Sequence, residues 1–288
     1  DEDTFVYTVK DGDGDLESTT LTITINDDGV EITNIPVAGA DGALVKEEGL
    51  ASTTAGRAGE SAGTQFADNS EVTSGTITYT ADDTPVTVYI DNVEVVLEAG
   101  VDFNDTFTNA TGSLKIDSVG SGEIKYTYTL LDNTSGKDGT QETFAVKVED
   151  VDGDSASGNL VINIQDDDPI LVADTDSVAS GTVGPATGNV LTGAASAAAN
   201  ADGNATDGSA DNLGADGGSV VGVVAGDATG IDTDDLTSGN DATVDAVIQG
   251  AYGTLTIDSA GQYSYTRDFD LAADDGDDSL DDDIIQSS

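Results

Sequence analysis

The acidic pentapeptide Asp11-Gly12-Asp13-Gly14-Asp15 returns 139 residues later as Asp150-Val151-Asp152-Gly153-Asp154, and its surroundings return with it. Laid together without a gap, residues 4–28 and 143–167 agree at 13 of 25 positions. A repeat of that length constrains the fold more than any single motif, because each copy must then be one module of an array. Each copy reads as a hairpin. Phe5, Tyr7 and Val9 alternate with Val6 and Thr8 before the acidic turn, and Leu21, Ile23 and Ile25 alternate with threonines after it. Phe144, Val146 and Val148, then Leu160, Ile162 and Ile164, repeat the pattern. Period two means one buried face on each strand pair.

Both hairpins run into acidic strings, Asn26-Asp27-Asp28-Gly29 and Gln165-Asp166-Asp167-Asp168-Pro169, which read as linkers. An isolated hairpin is marginal in water, so residues 1–28 read as the C-terminal hairpin and linker of a preceding repeat. Residues 29–168 form the complete unit, with strands expected at 30–36, 44–47, 74–80, 86–90, 93–97, 113–117, 123–130, 144–149 and 159–164. Asp, Asn, Gly and Ser clusters punctuate them. Short strands at this spacing, with no helical period, indicate an all-β fold: tandem antiparallel β-sandwiches of immunoglobulin or cadherin type. Residues 169–288 read as the N-terminal part of a following sandwich. There Gly253-Thr-Leu255-Thr-Ile257-Asp258-Ser259 echoes Gly112-Ser-Leu114-Lys-Ile116-Asp117-Ser118, and Tyr263-Ser-Tyr265 echoes Tyr126-Thr-Tyr128. By the same spacing a hairpin of the Phe144 type is expected near residue 281, and the sequence there does not carry it. Residues 193–218, rich in Ala, Asn, Asp and Gly, read as a long surface loop, with a flexible linker as the rival reading.

Composition selects among partners. With 57 acidic residues against 8 basic, the formal charge is −49. Nucleic acids and anionic membranes are bound through basic patches, so neither is expected as a partner, and direct membrane insertion is not expected either. Such a charge repels itself in any compact state unless cations are bound. Disorder is the rival of an acidic chain poor in aromatics. Against it stands β-branched alternation held in register across the repeat. Cysteine is absent, so no disulfide framework exists. Histidine is absent too, which removes His-based triads and His-rich transition-metal sites. Paired carboxylates can hydrolyse glycosides, but among 57 acidic residues such pairs arise by chance. The chain is not expected to be an enzyme.

The order Phe-x-(Tyr/Val)-x-Val, Asp-x-Asp-Gly-Asp, Leu-x-Ile-x-Ile, Asp-Asp, with Glu47-Glu48-Gly49-Leu50 near the unit's start, looks like the roughly 140-residue repeat of giant type I secreted bacterial proteins. Residues 169–288, with Gly188-Asn-Val-Leu191 and Tyr252-Gly-Thr-Leu-Thr-Ile-Asp258, resemble the VCBS repeat of the same proteins. The resemblance implies an RTX-type adhesin at the cell surface, exported by type I secretion and serving adhesion or biofilm formation. Its tandem sandwiches would be calcium-rigidified extenders, partnered by adjacent repeats of the same chain, with a host or surface ligand bound through other domains. The glycine-rich nonapeptide of the RTX β-roll is not found here.

Calcium is the expected cofactor. Ca²⁺ takes six to eight oxygens, and carboxylates alternating with small residues converge on one point. Asp11, Asp13 and Asp15, and Asp150, Asp152 and Asp154, have that alternation without the EF-hand spacing. The last strand of a sandwich ends at the C-terminal pole, so the preceding acidic turn lies at the N-terminal pole. The second triplet is therefore expected to face Asp27 and Asp28, with Glu47 and Glu48 reaching the same junction. Asp166, Asp167 and Asp168 stand roughly where cadherins carry an acidic linker ending in Pro. Asp174 and Asp176 are candidates at that second junction. A structural extender is the expected function; the alternative is a module that grips a glycan or protein through calcium and Asp-rich loops such as 193–218.

Overall fold

The computed structural model describes residues 2–25, 29–52, 61–97, 105–178, 182–193, 208–226 and 244–268. Their period-two segments become strands β1 (Glu2–Lys10), β2 (Leu16–Thr24), β3 (Glu31–Asn34), β4 (Leu44–Lys46), β5 (Val72–Thr80), β6 (Thr87–Ile90), β7 (Val93–Glu94) and β8 (Thr106–Thr108). There follow β9 (Gly112–Gly120), β10 (Glu123–Leu130), β11 (Thr140–Glu149), β12 (Ser155–Gln165), β13 (Ala186–Asn189), β14 (Ile248–Gln249), β15 (Gly253–Ile257) and β16 (Gln262–Arg267). The one helical element among the described residues is a 3-10 turn, Glu47–Gly49. β8 was not marked by the sequence, since three residues carry too little alternation to be seen.

The chain divides into two compact units. The first comprises Asp1–Val45, Val72–Leu130 and Asp138–Gln165; the second comprises Lys46–Glu71, Leu131–Lys137 and Asp166–Ser288. Thus two loops from within the sequence repeat 29–168 group with the residues that follow it.

In the first unit, β3-β5-β10-β9-β8 form one five-stranded sheet and β4-β12-β11-β6-β7 another. This is the Greek-key order of an immunoglobulin- or cadherin-like sandwich, with its first strand divided between the sheets. Ile77, Leu114, Ile116, Ile124, Tyr126 and Tyr128 come from one inner face, Val88, Ile90, Phe144, Val146, Leu160 and Ile162 from the other, and all are buried. Each such side chain contributes about 1.5–3 kcal/mol. Tyr128 meets Phe144 edge-on, ring centroids 6.0 Å apart. The Tyr126 hydroxyl donates to Gly42 O at 2.8 Å. Hairpin β1–β2 pairs with no further strand among the described residues.

The second unit holds a four-stranded sheet, β13-β16-β15-β14. Its register repeats that of the first unit. Leu114, Ile116 and Gly75 oppose Tyr128, Tyr126 and Tyr126; Leu255, Ile257 and Gly188 oppose Tyr265, Tyr263 and Tyr263. The sequence echo is therefore a structural one, with β13, β15 and β16 corresponding to β5, β9 and β10.

Candidate metal centre

Three groups of carboxylates, among the described residues, bring their oxygens within 4.8 Å of one another: Asp11 with Asp13 and Asp15; Asp83 with Asp150 and Asp152; Glu47 with Asp166 and Asp216.

The first two are built by the same turn. Asp11 N donates to Asp15 O at 3.0 Å, as Asp150 N does to Asp154 O. Asp11 Oδ1 accepts from the amides of Gly14 and Asp15 at 2.9 and 2.8 Å, and Asp150 Oδ1 accepts from Gly153 and Asp154 at 3.1 and 2.9 Å. The loop closes only because Gly14 and Gly153 take φ of 111° and 105°, a region that other residues avoid. Hydrogen bonding to the Asp13 carboxyl, then to the Asp15 and Gly14 amides, holds Asp11 below the usual carboxylate range. The Asp152 carboxyl does the same for Asp150, outweighing desolvation, with the Asp154 and Gly153 amides adding to it.

Asp83, from the β5–β6 turn, completes the second group in the place expected for Asp154. Asp154 instead puts Oδ2 3.3 Å from where a Cβ on Gly29 would stand. The acidic turn and the residue that follows Asp27-Asp28 therefore meet. Asp27 and Asp28 themselves lie outside the described residues, as do residues 194–207 of the expected surface loop and 269–288 beyond β16.

The third group is built around the most deeply buried of these acids, Glu47. β4 enters beside the end of β12, where Asn163 N donates to Ala43 O at 2.9 Å, and the 3-10 turn then takes Glu47 into the interior. Glu47 is 0% exposed. Its Oε1 accepts from Thr134 N at 2.7 Å and Thr134 Oγ1 at 2.8 Å. Its Oε2 is buried with no hydrogen-bond partner. Burial is the largest influence on this acid and pushes it up to about 7, opposed by the two Thr134 donors and reinforced by the charges of Asp216 and Asp166. Asp216 accepts from Asn133 Nδ2, and Asp166 accepts from Asp167 N at 3.0 Å.

An orphaned carboxylate oxygen among two further carboxylates is costly, because a buried charge without a partner is strongly destabilising. A hard cation fits this donor set. All three side chains offer oxygen, which suits Ca²⁺ and not the softer transition metals. Glu47, Asp166 and Asp216 would hold the ion, and it would supply the positive charge that their mutual repulsion lacks. Thr134 and Asn133 act through the carboxylates they orient.

The remaining expected ligands have other partners. Glu48 pairs with Lys46 Nζ at 2.8 Å and accepts from Gln65 Nε2 at 2.9 Å. Glu47, expected at the first junction, meets the second acidic string instead, because β4 lies along β12 and carries it to Asp166. Asp167 is 6% exposed; its carboxylate accepts from Thr64 N at 2.8 Å, Ala215 N at 3.0 Å and Thr64 Oγ1. It braces residues 64 and 215 through these three hydrogen bonds. Asp168 is exposed and belongs to none of the three groups. Asp174 accepts from Ser209 N at 2.5 Å. Asp176 accepts from Ser177 N and from the Tyr263 hydroxyl, both at 2.6 Å.

No family model and no curated protein matches the chain. Among solved structures it is similar to the protocadherin gamma-B4 extracellular domain, at 14% identity and a TM-score of 0.29, covering 93% of this chain and 33% of that one. It is similar to protocadherin gamma-B2 extracellular cadherin domains 3–6 at 14% identity and a TM-score of 0.29, covering 93% and 49%. A third is a Bacteroides ovatus protein, SGBP-B of a mixed-linkage glucan utilization locus, in complex with a mixed-linkage heptasaccharide, at 17% identity and a TM-score of 0.22, covering 85% and 40%. The chain thus spans from a third to about half of the lengths of these structures. At these scores the fold assignment rests on the strand order described above. No helix among the described residues is long and apolar enough to cross a membrane.

Proposed function

We propose that this chain is a spacer of tandem β-sandwiches, stiffened by Ca²⁺, within a large extracellular adhesin. The observation that carries it is the unpaired Oε2 of fully buried Glu47. The sequence supplies its neighbours from two places: Asp166 from the acidic string that ends one repeat, and Asp216 from the next. All three carboxylates lie in the second unit, so an ion held there would join residues of consecutive sequence repeats within one compact unit. Free calcium at about 100-fold its Kd adds roughly 2.7 kcal/mol per site, a large share of a domain's ~5–15 kcal/mol of stability.

The resemblance noted in the sequence places such repeats in RTX-type adhesins exported through a type I channel, where they hold a distal binding domain away from the cell. In that setting the spacer would serve adhesion or biofilm formation. Small-angle scattering of the 288-residue chain tests it. The expected result is a maximum dimension that becomes longer and better defined on adding calcium and reverts in chelator. A dimension indifferent to calcium contradicts the spacer reading.

A further inference from the structure

Each carboxylate of the Glu47 group is tied to the protein through one oxygen. Thr134 N and Thr134 Oγ1 both donate to Glu47 Oε1, and two donors use both lone pairs of that oxygen. Asn133 Nδ2 donates to Asp216 Oδ1, and Asp167 N donates to Asp166 Oδ1 at 3.0 Å. Glu47 and Asp216 are thus tied by consecutive residues of loop 131–137, where Asn133 N donates to Asp132 Oδ1 at 3.0 Å. Glu47 is fully buried with Oε2 unpartnered, whereas Asp166 is half-buried and Asp216 exposed. The group is therefore closed on its Glu47 side and open to water on its Asp216 side.

The number of oxygens each carboxylate can give separates the two hard cations that suit such a donor set. Ca²⁺ takes up to eight oxygens and gains from a carboxylate that gives both of its own, whereas Mg²⁺ takes six in an octahedron and keeps several waters. Resting on the cation reading of this site, we propose that the Glu47 group gives an ion one oxygen from each carboxylate, leaves the remaining positions to water, and so accepts Mg²⁺ as well as Ca²⁺. Asn133 sets that tolerance, because it withholds Asp216 Oδ1 from the ion. It is a positioning residue, acting on the ion only through Asp216. Occupancy then follows both ions together, and the second unit stays braced where calcium is scarce and magnesium is not.

Isothermal calorimetry of the chelator-stripped 288-residue chain, titrated with Ca²⁺, with Mg²⁺, and with Ca²⁺ in the presence of Mg²⁺, tests the proposal. Subtracting the Glu47→Gln isotherms removes the other acidic groups. The expected result is that an excess of Mg²⁺ of about 100-fold displaces Ca²⁺ from the Glu47-dependent site. Asn133→Ala frees Asp216 Oδ1 for the ion. Its Mg²⁺ binding should fall by about 10–100-fold, while Ca²⁺, which can take the second oxygen, loses less, so the ratio of the two affinities moves toward Ca²⁺ by about tenfold. A merely loosened loop would weaken both ions alike, and equal losses overturn the proposal. A site that holds Ca²⁺ undiminished through that excess of Mg²⁺ overturns it too and leaves the calcium reading intact. A site that binds neither ion removes both.

Discussion

Thr134 gives both its amide and its hydroxyl to one oxygen of Glu47, at 2.7 and 2.8 Å, and leaves the other oxygen bare. The pair spans 87 residues of sequence, so the loop 131–137 exists in part to aim this carboxylate. Removing the hydroxyl should loosen the aim without touching a candidate ligand. Thr134→Ala is expected to weaken calcium binding by about 10–100-fold, and Thr134→Ser to restore most of it. Calorimetric titration of both variants separates them.

Neighbouring aspartates of the second acidic string should respond in different ways. Asp167 is buried and accepts from Thr64 and Ala215, so Asp167→Asn removes charge-assisted hydrogen bonds and destabilises the second unit by about 1–3 kcal/mol, with or without calcium. Asp168→Asn changes an exposed residue and should stay within about 0.5 kcal/mol of wild type. Urea unfolding in chelator and in calcium gives both differences.

These contrasts show what the sequence could and could not carry. Alternation and the 139-residue repeat specified the β11–β12 hairpin, its acidic turn and the Tyr126/Tyr128 strand, because period two and turn chemistry are local. Choosing Glu47 over Glu48, or Asp166 over Asp167, is not local: adjacent residues point apart, and only the path of β4 along β12 decides which one enters the interior. Asp83 and Asp216 sit in turns and loops with no periodicity. Nothing distinguishes them among 57 acidic residues until the fold brings them to Asp150 and Glu47.

Gly75 lies opposite Tyr126 in the β5–β10 ladder, and a Cβ placed there would stand 2.3 Å from the Tyr126 hydroxyl oxygen and 2.5 Å from Cζ. That ring is buried and cannot swing away. Gly75→Ala is expected to cost about 1–3 kcal/mol by overpacking. Gly12→Ala meets nothing within 4 Å and serves as the neutral control. Thermal melts suffice.

Burial pushes the Tyr126 hydroxyl up to about 12, and raises Tyr128 further with help from Glu142. The neutral phenols are therefore favoured in the folded state. Their contribution is fully present below the unfolded tyrosine value of about 10 and is lost as pH rises through the raised values. Melting temperature should fall between about pH 10 and 12, with Tyr126→Phe showing a shallower fall. An equal fall in the variant would assign the alkaline loss to other groups.

The central claim is that the bare oxygen of Glu47 is held for a cation, and calcium titration of the 288-residue chain by isothermal calorimetry addresses it most directly. Glu47→Gln keeps the shape and the Thr134 contacts that an amide oxygen can accept, but withdraws the charge. The expected result is the loss of one equivalent of bound calcium, with the far-ultraviolet circular dichroism of the sheets unchanged. A variant that binds as many ions as the wild type, with the same affinity, contradicts the account.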